Sequence, residues 1–400
     1  MAFQHPSEEF VFRLCRDSFL SLWSYANPRQ EGSTKELCDV LVICDPYVLI
    51  FSVKYSDYKE TEDPKVGVRR WLRDTVEHSV KAIYGAERNL TRATHVTRSD
   101  GQPGLPLPKI GERRAYRVSI SLGGRRLVDF ASRDYGKGFV HCFDDQFVVA
   151  ALVELNTITD FIAYLEATED LARQQRLVMM GGEEDLLAVY LHNGRKFPSL
   201  AGPVIVEENL WASFLQNSAY QRRLEAEQSS YTWDTLIEYV AAHVEADRME
   251  SSGTLSENEL VLRVMARENR LSRRMLSRTL LDFRRRARRG EVRARLTQAL
   301  SGVTYVFYNP RVSDERETRK HKLALRCVVA RNEIRENKTV LGIGFNVDRV
   351  PQGYAVDLAY LHFPEWTPKQ QKDAEEIKRE FGYFRTTRVS SEQVDEYPEA

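Results

Sequence analysis

Hydrophobic periodicity first appears between Ser7 and Tyr25, where Val11, Leu14, Cys15 and Leu22 fall near the spacing of one helical face. Ser7 followed by Glu8 and Glu9 suits a helix start, and Asn27-Pro28 closes the helix. After a polar loop containing Gly32 the pattern changes. Leu37–Ile43 is an apolar run with Val and Ile, as expected of a strand buried on both faces. Asp45-Pro46 signals a turn and Val48–Val53 is a second apolar run, so the two predict a hairpin. Helical spacing returns after Pro64, with Val68, Trp71, Leu72, Val76, Val80 and Ile83 on one face and Gly85 near the end. A loop rich in Gly and Pro leads to the alternating run Tyr116–Leu122, and Phe139–Phe143 is a further strand. The order helix, strand, strand, helix, strand, strand predicts an α/β domain over residues 1–150.

Residues 151–300 read as mainly helical. A capping box, Thr157 to Asp160, opens one helix, and EEDLLAVYLHNG stops on Gly194. Aromatic-rich helices fill Leu210 to Asp247, and a basic amphipathic helix runs from Val264 to Arg295. In residues 301–400, VTYVFYN, TVLGIGF and YAVDLAYLHF read as strands, LALRCVVA as a long strand or a helix, and Pro368–Phe381 as a helix. This predicts a separate C-terminal α/β unit.

Composition narrows the function classes. An apolar fraction of 42% over 400 residues fills more than one core. No apolar run is long enough to span a bilayer, and MAFQHPSEEF has neither the basic region nor the apolar segment of a secretion signal, so a cytoplasmic protein without membrane contact is expected. The five cysteines lack CxxC spacing and read as reduced, buried thiols. Histidines are scattered without HxH or HExxH spacing, and neither GxxxxGK[ST] nor GxSxG occurs, which argues against a nucleotide-driven motor or a serine hydrolase. Lys plus Arg equals Asp plus Glu at 58 each, so any nucleic-acid contact must use a local patch.

The chemistry-bearing residues lie at the margins of the hairpin. Asp39 stands near the start of its first strand and Lys54 at the end of its second, fifteen positions later. Antiparallel strands place those two ends side by side. Ser52 shares the Lys54 face because strand side chains alternate. A carboxylate of this kind can hold a divalent cation, and a neighbouring ammonium can position a water or stabilise charge on a phosphate oxygen.

With a glutamate-bearing helix before the hairpin and a helix and strands after it, Ser7 to Phe143 resembles the PD-(D/E)xK nuclease superfamily, the restriction-endonuclease-like fold. The resemblance implies an N-terminal mixed sheet flanked by helices, Mg²⁺ (or Mn²⁺) as cofactor, and hydrolysis of phosphodiester bonds in DNA rather than RNA. It matches Asp39 to the metal-binding aspartate and Lys54 to the catalytic lysine. Ser52 falls where the second acidic residue belongs, and Cys38 replaces the proline. A hydroxyl neutralises a cation poorly, so a helix glutamate must assist Asp39 in holding the metal. Glu8 is the first choice, because Val11, Phe12 and Cys15 follow it at helical spacing; Glu9 is the fallback and Glu36 the weaker candidate, outside the strand. The wider role implied is that of a bacterial anti-phage or restriction effector. The alternative is a catalytically inactive, nuclease-derived scaffold that binds nucleic acid or an acidic protein.

Basic residues supply candidate phosphate contacts. Arg69, Arg70 and Arg73 follow the hairpin, and Arg284, Arg285 and Arg288 belong to a stretch, Arg267 to Arg295, with twelve arginines against Glu268, Asp282 and Glu291. Such a local excess is expected of a polyanion site. Pairing to an acidic neighbour, such as GGEEDLL at Gly181, an acidic protein partner or a second subunit in a homo-oligomer, is the equal alternative.

Overall fold

The computed structural model describes residues 3, 5–124, 131–174, 177–198, 202–245, 255–345, 356–384 and 395–397. The chain is a mixed α/β protein of two compact units, Met1–Gln221 and Arg222–Ala400, and the division falls inside the helix Ser218–Glu227. Residues 151–221 of the expected helical middle stretch thus group with the N-terminal sheet, and residues 222–300 with the C-terminal one.

In the first unit, α1 (Pro6–Phe19) opens on His5, whose Nδ1 accepts from the Ser7 amide at 3.2 Å, with Pro6 at a position where a missing N–H costs nothing. The helix stops before the predicted end. Leu20 takes φ 71°, a short 3₁₀ turn follows, and Ser24–Ala26 forms β1. Here strand pairing to Val40–Val42 outweighs helical spacing. β2 (Val40–Cys44) and β3 (Tyr47–Tyr55) form the predicted hairpin around Asp45-Pro46, with Val40 opposite Phe51 and Ile43 opposite Val48. Next, α2 (Pro64–Leu72) and α3 (His78–Leu90) are joined by a widened π-type turn at Arg73–Glu77.

The stretch predicted as loop holds a small antiparallel pair, β4 (His95–Thr97) and β5 (Pro103–Pro106). β6 (Arg114–Leu122), β7 (Arg133–Asp134) and β8 (Phe139–Phe143) complete a six-stranded sheet in the order β1-β2-β3-β6-β8-β7. β3, β6 and β8 are mutually parallel, while the remaining pairs are antiparallel. α4 (Asp145–Glu154) and α5 (Ile158–Gln174) follow, the latter capped as predicted by Thr157, whose Oγ1 accepts from the Asp160 amide at 3.1 Å. Phe51 of β3 meets Phe19 of α1 and Phe161 of α5 at 6.4 and 6.3 Å between ring centres, so these helices cover that face. Alternation then turns Ile50, Ser52 and Lys54 to the other face. There α3 packs on β3 and β6, and Ser79 Oγ donates to the Ser52 carbonyl at 3.2 Å. β9 (Leu177–Met179), α6 (Glu183–His192), β10 (Val204–Val206), α7 (Leu210–Leu215) and α8 (Ser218–Glu227) complete the series, with β9 and β10 paired in parallel.

In the second unit α9 (Tyr231–Glu245), α10 (Leu255–Ala266) and α11 (Arg270–Arg288) precede β11 (Ala294–Gln298), β12 (Val303–Tyr308), α12 (Arg316–Glu333), β13 (Thr339–Phe345), β14 (Val356–His362) and α13 (Pro368–Phe381). The four strands lie in sequence order, with only β12 and β13 parallel. LALRCVVA is helical. Leu323, Cys327 and Ala330 recur at helical spacing, and a Cβ on Gly342 would come within 2.6 Å of Cys327 Sγ, so glycine permits the close approach of α12 to β13. The basic stretch read as one helix is broken after Ala266. Asn269 caps α11 by accepting from the Ser272 amide at 2.8 Å, and Ala294 and Arg295 belong to β11. Among the described residues no helix is long and apolar enough to cross a membrane.

Candidate active site

The hairpin register extends by one residue to set Asp39 opposite Ser52. The chain ahead of β2 is tied down by the Asn27 amide donating to the Asp39 carbonyl at 3.0 Å, the Leu37 amide to the Pro28 carbonyl at 2.7 Å, and a bridge between Arg29 and Glu36. Oδ2 of Asp39 accepts from the Val53 amide at 2.5 Å and lies 3.7 Å from Lys54 Nζ. Side-chain exposure is 9% for Asp39 and 38% for Lys54, so the carboxylate is sunk at the strand end while the ammonium reaches water.

One further carboxyl, Glu36, approaches this pair, and Glu8 approaches Glu36. Glu8 is buried one turn into α1, and the His5 ring stacks on Tyr55 at 5.1 Å, tying the start of α1 to the end of β3 beside Lys54. Glu36, half-buried, hydrogen-bonds with the Asp39 side chain. Burial first, then the charges of Asp39 and Glu8, push its carboxyl up to about 7, against the opposing pull of Lys54. Like charges this close favour keeping one proton between them. The weaker candidate by sequence is therefore part of the cluster, delivered by the pairing of residues 27–29 with 36–39 rather than by any periodic signal.

Cys38, beside this group, donates its thiol to the Val40 carbonyl at 3.4 Å, and burial together with Asp39 and Glu36 pushes it well up, so it stays a neutral thiol. Ser52 is buried, and its Oγ has no hydrogen-bond partner among the described residues; Ser119 and Ser121, the β6 partners of Ser52 and Lys54, share that condition.

The six arginines do not join this constellation as one group. Arg69, Arg70 and Arg73 are exposed along α2 and the turn after it, with Arg73 Nε donating to Asp74 at 3.0 Å. Arg284, Arg285 and Arg288 belong to the second unit; Arg285 donates to Asp282 at 2.5 Å, Arg284 is half-buried and Arg288 is exposed. Earlier in α11, Arg270, Arg273 and Arg274 are internal. Arg270 and Arg273 donate to Asp234 at 2.7 and 2.6 Å, and Arg274 is also buried.

Asp39, Glu8 and Glu36 offer the hard oxygen donors that Mg²⁺ and Mn²⁺ take. The crowding that holds a proton on Glu36 is the strain a divalent cation would relieve, so the donor chemistry fits. Asp39 and Glu8 would hold it. Among the described residues no three His, Cys, Asp or Glu side chains are arranged to grip a metal as they stand, and Asp39 is engaged by Val53 and Lys54. The sequence matches no protein-family model and no curated protein.

Proposed function

We propose that this protein is a divalent-metal-dependent nuclease that hydrolyses DNA phosphodiester bonds in the cytoplasm. The observation that supports it most is the 3.7 Å approach of Asp39 Oδ2 to Lys54 Nζ at the ends of two neighbouring strands, with Glu36 beside Asp39 and Glu8 near Glu36. Bound at Asp39 and Glu8, a cation supplies Lewis-acid stabilisation of charge on the phosphate oxygens. Lys54 Nζ orients the attacking water and donates to a phosphate oxygen. Asp39, anchored by the Val53 amide at 2.5 Å, fixes the direction of that ammonium. Glu36, whose crowding the cation would relieve, would then be ionised and able to take the proton that the water loses. The exposed Arg69, Arg70 and Arg73 give salt-dependent contacts to the backbone.

The test is plasmid cleavage in Mg²⁺ or Mn²⁺, with chelation as control. Asp39→Ala and Lys54→Ala should each lower the rate by ~10²-fold or more. Cleavage indifferent to both changes ends this assignment. The neutral Ser52 and the prior engagement of Asp39 favour one other reading, a scaffold that retains nucleic acid without cutting it; binding by the wild type with no cleavage in either metal would establish that one.

A further inference from the structure

The arginine excess of the second unit has an occupant that the nuclease reading does not use. Arg223 in α8 and Arg274 in α11 are each only 1% exposed, and both are covered by the chain's own residues 395–397. Arg274 forks onto consecutive main-chain carbonyls, with Nη1 donating to Glu396 at 3.1 Å and Nη2 donating to Asp395. Nη1 of Arg223 lies 3.6 Å from the Glu396 carboxylate, and its guanidinium sits 5.7 Å from the centre of the Tyr397 ring. Each of the three tail residues thus meets a guanidinium in its own way, through a carbonyl, a carboxylate and a ring face. Charge is complementary as well. The groups acting on Arg274 are Glu227, Arg278, Glu396 and Arg223. Without the tail that leaves three cations facing one carboxylate, and Glu396 supplies a second.

We propose that the Arg223–Arg274 pocket is a peptide-docking site for an acidic segment with an aromatic residue after it, of the form Asp-Glu-Tyr, which the chain fills with its own tail and which a protein partner carrying such a segment takes in its place. Arg278, exposed at the rim, suits a further acidic residue of the incoming peptide. The carbonyl fork selects a peptide main chain over a bare anion, because two successive carbonyls turn to one guanidinium only where the backbone bends, as it does at Glu396 and Tyr397.

The test uses the chain shortened by its last six residues, Asp395 to Ala400, and a fluorescent peptide corresponding to Glu392–Ala400. The shortened chain should bind the peptide at least tenfold more tightly than the intact chain, whose seat is filled, and a peptide with Glu396→Lys and Tyr397→Ala should lose that advantage. Equal binding by both chains overturns the proposal, as does full displacement of the peptide by inorganic phosphate or duplex DNA at matched charge concentration, which would mark a general polyanion patch. Should the shortened chain fail to fold, the intact chain decides. Arg274→Lys keeps the charge but loses the fork, and should speed carboxypeptidase removal of residues 395–397 at least tenfold over wild type; an unchanged rate overturns the proposal.

Discussion

Glu36 is the residue on which pH dependence turns. A carboxyl whose folded value lies above its unfolded one binds its proton more tightly in the native chain. Its favourable contribution is therefore complete below about 4.5 and is lost as pH rises through about 7. Glu36→Gln keeps a hydrogen-bonding side chain and removes the titration. The variant should match wild type in thermal midpoint near pH 4.5 and exceed it by about 2 °C or more at pH 8; an offset that does not change between these two pH values would show that Glu36 titrates normally. In cleavage, Glu36→Gln should lower the rate, because the variant has no carboxylate to accept the proton of the attacking water. Ser52 makes the complementary case. Its hydroxyl is buried opposite Asp39, so Ser52→Glu should strengthen Mn²⁺ binding measured by calorimetry and destabilise the metal-free chain through like-charge crowding. No gain in affinity would mean that this position does not face the ion.

At the scale of elements, α11 divides into a structural half and an exposed half. Asp234 balances two guanidiniums that are each 1% exposed, Arg270 and Arg273. Burial alone would raise its carboxyl, but Arg273 and Arg270 more than offset this and hold it below the ordinary range. Asp234→Ala leaves both cations uncompensated and should cost ~3–5 kcal/mol in chemical denaturation of the second unit. A loss near zero would mean that water reaches the pair. The legibility of the chain follows the same division between local and distant causes. Asp39, Ser52 and Lys54 were readable because strand alternation and one chain reversal place them together. Glu36 was harder, since its position depends on a bridge to Arg29 that no periodicity announces. LALRCVVA fits either period until Gly342 admits a helix against the sheet. Charge counting found the arginines of α11, but their partner Asp234 lies 36 positions before Arg270, beyond any local pattern.

For the molecule as a whole, the question is which stretch must be kept for the sheet of the first unit to fold. Phe161 of α5 is fully buried and its ring approaches Phe19, Phe51 and Phe143, drawing the sheet and α1 into one aromatic cluster. Tyr220 of α8 donates to Glu154 at 2.5 Å, so the far end of the unit also closes back on α4. A fragment ending at residue 150 severs α4 and discards Phe161. Removing one such ring from a core costs ~3–5 kcal/mol, a large part of the ~5–15 kcal/mol that holds a domain together. Residues 1–150 should therefore fail to unfold cooperatively in a thermal melt, while residues 1–227, with α8 intact, should melt in a single transition. A cooperative melt of 1–150 within a few degrees of the longer fragment would show that α5 is not part of the core. Because Glu8, Glu36, Asp39, Ser52 and Lys54 all lie in 1–227, that fragment should bind Mn²⁺ as the whole chain does. If it binds the ion yet cuts plasmid DNA far more slowly than the whole chain, capture of the substrate belongs to the second unit.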